Sequence, residues 1–357
     1  MVNSDRLWLM LKKLLFLLTI LQGPCVCAQD PQFSQYYSAP LYLNPAFTGS
    51  TGCTRLVSNY RNQWFGLDKP YNTFAFSADR NLDLINSGIG IQFLSDQVGK
   101  NGISTVDVSL LYSYRLDLSK KYSLRAGLQA GFGSKNLDIF KLTFPDQFSD
   151  DGFEGNTSAD YANKRSRVNY ADISSGLLFY STNFWAGFTA KHINEPNQSF
   201  FLSDNLSRLP AKFTLHSGYK FNLNNEGGLR YDQKSHRSKS ISPTFLYKHQ
   251  GPFNQLDIGI YYMTSPLFVG FWYRGIPILK TVESFTNKDA VIIQAGIRFE
   301  RLNFGYSFDY TISQLSPFSR GSHEISLGYV FCSGKKKSRE RLKTLPCPDF
   351  YDEGLFN

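Results

Sequence analysis

The residue types most able to do chemistry are few and scattered. Five histidines occur, His192, His216, His236, His249 and His323. An esterase would need one of them to act as base for a nearby serine. His323 lies beside Ser322 and Glu324, but neighbours on a strand point to opposite faces, so these three do not converge. No GxSxG, Walker-type loop or HExxH motif occurs, and nothing points to a cofactor. Asp146, Asp150, Asp151 and Glu154 form an acidic cluster, whose calcium reading is weaker than that of a solvated loop. The residues thus point away from an enzyme.

The cysteines define a compartment instead. Lys12 and Lys13 precede an apolar run, Leu14 to Leu21, followed by Pro24 and the small-residue site Val26-Cys27-Ala28. This pattern reads as a secretory signal over residues 1–28, cleaved before Gln29. The run is shorter than the roughly 20 residues of a membrane helix, and no later stretch is long and apolar enough. Cleavage leaves Cys53, Cys332 and Cys347. Cys332 and Cys347 close a short loop and are candidates for a disulfide in an oxidising periplasm, leaving Cys53 over. Neither a CxxC pair nor clustered histidines support a metal site.

The elements that must carry these residues are strands. From about residue 54 the chain alternates with period two. Leu302, Phe304, Tyr306, Phe308 and Tyr310 are interleaved with Asn303, Gly305, Ser307 and Asp309; Leu124, Ala126, Leu128 and Ala130 with Arg125, Gly127, Gln129 and Gly131. Each segment has one greasy face and one polar, glycine-rich face. Candidate strands fall near 54–65, 71–80, 88–95, 103–116, 121–134, 167–181, 183–192, 211–222, 240–249, 254–264, 267–274, 289–300, 302–313 and 322–333. Many are longer than the usual 5 or 6 residues. The composition agrees: 31 Phe and 21 Tyr against 3 Met suit pleated surfaces and membrane interfaces. Only helices and closed barrels satisfy every backbone group in lipid. The fold class is therefore all-β: a transmembrane antiparallel β-barrel of about 14 strands, in contact with outer-membrane lipid.

Bacterial barrels keep short turns and both termini in the periplasm and longer loops outside. On that rule 117–120, 181–183, 265–266 and 300–301 are periplasmic turns, and 135–166, 193–210 and 275–288 are outer loops; the long connection 223–239 breaks the parity. Residues 29–53 form a periplasmic N-terminal segment, 54–333 the barrel and 334–357 a periplasmic tail. The net charge of +9 includes a basic run from Lys335 to Lys343 that reads as a solvated tail, and no basic stripe suggests nucleic acid.

Eight charges fall on the polar face: Asp107, Arg115, Arg125, Lys191, Asp257, Arg298, Asp309 and Glu324. They either line a charge-selective channel or pair across the lumen and pin the barrel shut, the reading we favour. A lumen of this strand number is too wide for wall side chains alone, so water or a plug is expected.

Two segments carry a resemblance. The stretch Gln29–Gly49, QDPQFSQYYSAPLYLNPAFTG, with Tyr60-Arg-Asn-Gln-Trp64, resembles the PorP/SprF family of type IX secretion system membrane proteins. Gly305-Tyr-Ser-Phe-Asp309 and Ser322-His-Glu-Ile-Ser-Leu327 look like that family's closing hairpin. The resemblance implies a non-enzymatic outer-membrane protein of Bacteroidetes that serves type IX secretion or gliding motility. Its implied partners are secretion components, a large adhesin-type substrate with a C-terminal targeting domain, and peptidoglycan-associated periplasmic proteins. Asn44, Pro45, Phe47 and Gly49 carry two turn-forming pairs around an aromatic. They form either a strand-entry turn packed into the periplasmic mouth or a docking segment for a partner. A general porin or small-molecule transporter is the alternative function.

Overall fold

The structure is a computed structural model. It describes residues 30–332 apart from 68–69, 100–101, 140–141, 143, 151, 154–163, 202–206, 224–238, 281–285, 300 and 315. The signal over 1–28, the tail 334–357, Asp151, Glu154 and Cys347 lie outside the described residues. The description below concerns the unit from Pro31 onwards.

The chain closes into a 14-strand antiparallel barrel. Numbering the barrel strands alone, these are β1 Thr54–Gln63, β2 Tyr71–Leu82, β3 Ser87–Val98, β4 Ser104–Asp117, β5 Ser123–Asn136, β6 Arg167–Tyr180, β7 Phe184–Lys191, β8 Lys212–Tyr219, β9 Lys239–Gln250, β10 Phe253–Thr264, β11 Leu267–Lys280, β12 Thr286–Phe299, β13 Leu302–Thr311 and β14 Ser322–Phe331. Beyond Lys220, Phe221–Asn222 continues the β8 pairing on β9. Each strand pairs with its sequence neighbour, and β1 pairs with β14 to close the ring. No edge is left for lipid to meet.

Alternation sets which side meets lipid. Phe74, Tyr60, Ile325 and Tyr306 form one outward ladder across β2, β1, β14 and β13, and all four are exposed. Arg61 and Glu324, one position on, face inward and are buried. The outer wall is thus a continuous apolar and aromatic surface, which water would penalise and lipid accepts. Among the described residues no helix is long and apolar enough to cross a membrane.

The strands join alternately at two ends. One end carries mostly tight connections, including 118–122, 181–183 and Ser265–Pro266; the other carries the connections 137–166, 192–211 and 312–321. The long 223–238 connection falls at the tight end, as its parity requires. One expected loop is corrected: 275–288 is largely strand, because β11 and β12 run on past register shifts at Arg274/Gly275 and Ile276/Lys280. A shift of register hides the period-two signal there.

The disulfide expectation is also corrected. Cys332 bonds to Cys53, not to Cys347. Thr54 and Phe331 are register partners on the closing strands, so the cysteines just beyond them are held side by side at the tight end.

Candidate functional site

The lumen is filled by the chain's own N-terminal segment. Residues 36–47 make three short turns: a 3-10 turn Tyr36–Ser38, a helical turn Pro40–Leu43 and a 3-10 turn Pro45–Phe47. Proline begins the last two, where a missing N–H costs nothing. Asn44 caps the third, its side chain accepting the Ala46 N–H at 2.9 Å. Phe33, Tyr36, Tyr37, Leu41, Ala46 and Phe47 are all buried. They pack against inward aromatics of the wall: Tyr36 on Trp272, Tyr37 on Trp185, and Phe47 stacked on His216 with centroids 5.6 Å apart. The Trp185 indole also donates to the Tyr37 hydroxyl at 3.0 Å.

This places Asn44, Pro45, Phe47 and Gly49 inside the barrel, not on a periplasmic docking surface. The first three are fully enclosed. The apolar residues of the segment meet no lipid, so the lumen is the one place that removes them from water. Asn44 Nδ2 donates to the Leu177 carbonyl at 3.0 Å and the Phe188 carbonyl at 3.3 Å. Gly49 adopts φ +67°, a conformation suited to glycine, and its N–H donates to Asp79 at 2.6 Å.

The wall is shaped to receive the plug. A Cβ at Gly127 would stand 2.3 Å from the Ala46 nitrogen, and one at Gly176 2.0 Å from Asn44 Oδ1. Glycines on the polar face thus leave space for a backbone, not for a solute path.

Two ionic clusters tie plug to wall. In the first, Arg61 pairs with Asp309 at 2.8 Å and Glu324 at 3.2 Å, and Arg274 pairs with Asp309 at 3.2 Å and Asp257 at 3.3 Å. The plug supplies the bridging groups. The Ser34 hydroxyl accepts from Arg61 and Arg274, each at 2.8 Å, and donates to Asp309 at 2.5 Å. The Glu324 carboxylate accepts the Ser34 and Gln35 backbone N–H groups at 2.6 and 3.0 Å. The Tyr36 hydroxyl donates to Asp257 and accepts from Arg274 at 2.9 Å. In the second cluster Arg55 pairs with Asp79 at 2.8 Å and donates to the Phe47 carbonyl at 3.1 Å. Arg125 donates to the Thr48 carbonyl at 2.8 Å.

Of the eight charges expected on the lumen face, Asp257, Asp309 and Glu324 converge in the first cluster and Arg125 joins the second. Lys191 lies 3.8 Å above the Tyr42 ring of the plug. Asp107 accepts from the Tyr170 hydroxyl at 2.8 Å, and Arg115 bonds Asn86 at 3.1 Å near a turn; both stand apart from the plug clusters. Arg298 is partly buried near the β12 end, its backbone N–H on the Pro266 carbonyl at 2.7 Å. Sequence reasoning missed Arg55, Arg61, Asp79 and Arg274. Arg61 sits within the Tyr60–Trp64 motif, on the same face as Arg55, and that parity was the available signal.

No catalytic arrangement forms around His323. Its ring lies against Phe65 and Phe308 on the outer side and meets the Tyr306 hydroxyl at 2.7 Å, while Ser322 and Glu324 are buried inside. Among the described residues no group of three or more His, Cys, Asp or Glu could hold a metal ion.

Residues 26–329, which include the plug and nearly all of the wall, match the family described as type IX secretion system membrane protein PorP/SprF. The chain belongs to the PorP/SprF family. A PorP/SprF barrel with an apolar outer wall is an outer-membrane protein. No curated protein matches the sequence. Solved structures resembling this PorP/SprF protein include a deletion mutant of the TodX monoaromatic hydrocarbon channel, 13% identical, with 83% of this chain and 94% of that one covered at a TM-score of 0.44. A Pseudomonas aeruginosa FadL homologue is 11% identical over 81% and 93% of the two chains at 0.37, and the KdgM porin 9% identical over 78% and 99% at 0.34.

Proposed function

We propose that this protein is a plugged, non-enzymatic accessory barrel of the type IX machinery. It assists secretion or surface anchoring of a large adhesin-type substrate, or links the machinery to the outer membrane. The observation that carries this reading is the filled lumen. Among the described residues a segment held by two buried ionic clusters occupies the lumen, which counts against a general porin or small-molecule transporter. The barrel is oriented with its tight turns and the end of β14 towards the periplasm, as bacterial barrels are.

The test has two arms. Purified protein in planar bilayers should show no steady ion conductance. Deletion of the gene, followed by surface proteomics, should remove at least one protein bearing a type IX targeting domain while solute uptake is unchanged. Steady conductance of the intact protein, or an unaltered surface proteome, would overturn the proposal.

A further inference from the structure

The plug has a direction. Its later residues lie at the tight-turn end. Thr48 is bound by Ser113 and Arg125, Gly49 by Asp79, and Cys53 is bonded to Cys332. Its earlier residues lie at the other end. Ser34 is gripped by Arg61, Asp309 and Glu324, and each of these is close to a strand terminus that feeds the connections 64–70 or 312–321. Gln32 accepts from Lys248 at 3.0 Å, near the end of β9 on the same side. Tyr42 folds back to that level, where its hydroxyl donates to the Pro31 carbonyl and Lys191, the last residue of β7, covers its ring.

We infer that the segment is threaded through the whole barrel, so that its beginning at Pro31 opens on the cell surface while β14 ends in the periplasm. This inference rests on the orientation stated under Proposed function. The motif residues from Asn44 to Gly49 are then closed to partners on either side. The part of the segment that an outside partner can reach is its beginning, which lies above the largely buried Lys191, Lys212 and Lys248. A periplasmic N-terminus would require the segment to turn back before Pro31 and descend beside itself. The lumen at Tyr36 and Tyr37 is already filled by Trp272, Trp185 and His216.

The experiment uses intact cells and a membrane-impermeant maleimide. Cys347 is replaced by serine, Cys53–Cys332 is kept, and single cysteines are placed by Asp30→Cys, Phe148→Cys in the 137–166 connection and Leu84→Cys in the tight turn between β2 and β3. Phe148 and Leu84 are both exposed. Phe148→Cys should label on intact cells and Leu84→Cys only after permeabilisation. Asp30→Cys should label with Phe148→Cys. If Asp30→Cys labels with Leu84→Cys, or only on denaturation, the threading is wrong. If Phe148→Cys and Leu84→Cys exchange behaviour, the orientation fails, and threading is still judged by which of the two Asp30→Cys follows.

Discussion

Glu324 and Ser34 are 290 residues apart in the chain, yet the Glu324 carboxylate accepts the Ser34 backbone N–H at 2.6 Å inside the barrel. With the Gln35 N–H on its other oxygen, one wall carboxylate satisfies two amides of a segment that has no sheet partner. A buried N–H without an acceptor costs about 1–3 kcal/mol. Arg61 also depends on this carboxylate.

Glu324→Ala should therefore loosen the plug without unfolding the wall. Removing one partner of a buried pair costs about 3–5 kcal/mol. Limited proteolysis of the detergent-solubilised variant should cut within residues 31–49, with strand content by circular dichroism unchanged. Glu324→Gln, which keeps an acceptor oxygen, should fall between the two. Wild-type protection of the segment in the alanine variant would refute the role given to Glu324.

Gly127→Val should expel the plug by steric means alone. The nearest atoms to a new Cβ are the backbone of Pro45 and Ala46, at 2.4 and 2.3 Å, and neither can rotate away. Intermittent conductance in planar bilayers is expected where the parent protein is silent. A silent Gly127→Val barrel of normal fold would show that the wall yields.

Peptide mapping under non-reducing conditions should join the peptide bearing Cys53 to that bearing Cys332, with Cys347 a free thiol. Cys347→Ser should leave thermal stability unchanged. Cys53→Ser should lower it, since a native disulfide contributes roughly 2–4 kcal/mol. A Cys332–Cys347 peptide pair would contradict the arrangement.

Leu110 stands near the middle of β4, 66% exposed on the outer wall. Leu110→Arg should destabilise the folded barrel by about 2–4 kcal/mol, the cost of arginine at the bilayer midplane. Urea titration in phospholipid vesicles measures it. A shift below about 0.5 kcal/mol, within the range of ordinary surface changes, would mean that this face does not meet lipid.

The wall was legible because lipid and lumen impose opposite demands on alternate residues. Leu128 and Arg125 show this on a single strand. Inner-face Asp257, Asp309 and Glu324 could be named for the same reason. Arg274 could not, because its face of β11 also carries Phe268, Trp272 and Ile276, which pack inward and are buried. Both faces of that strand then read as apolar. The plug was legible only as a turn-rich segment with aromatics. Its destination depends on Gly127 and Gly176, far away in sequence, and no local pattern links them to Asn44. The Cys53 partner was hidden likewise, since pairing at a separation of 279 residues follows from ring closure and not from proximity along the chain.

That bond has a topological consequence. Cys53–Cys332 converts the whole wall into one covalent macrocycle, and the N-terminal tail passes through the hole of the ring that its own chain forms. The molecule is a lasso with the noose drawn at the tight-turn mouth. Separating strands cannot free the tail sideways, because the loop around it remains shut. The tail can leave only by sliding along the axis unless the noose is opened, by reduction of the Cys53–Cys332 disulfide or by cleavage of a connection in the wall.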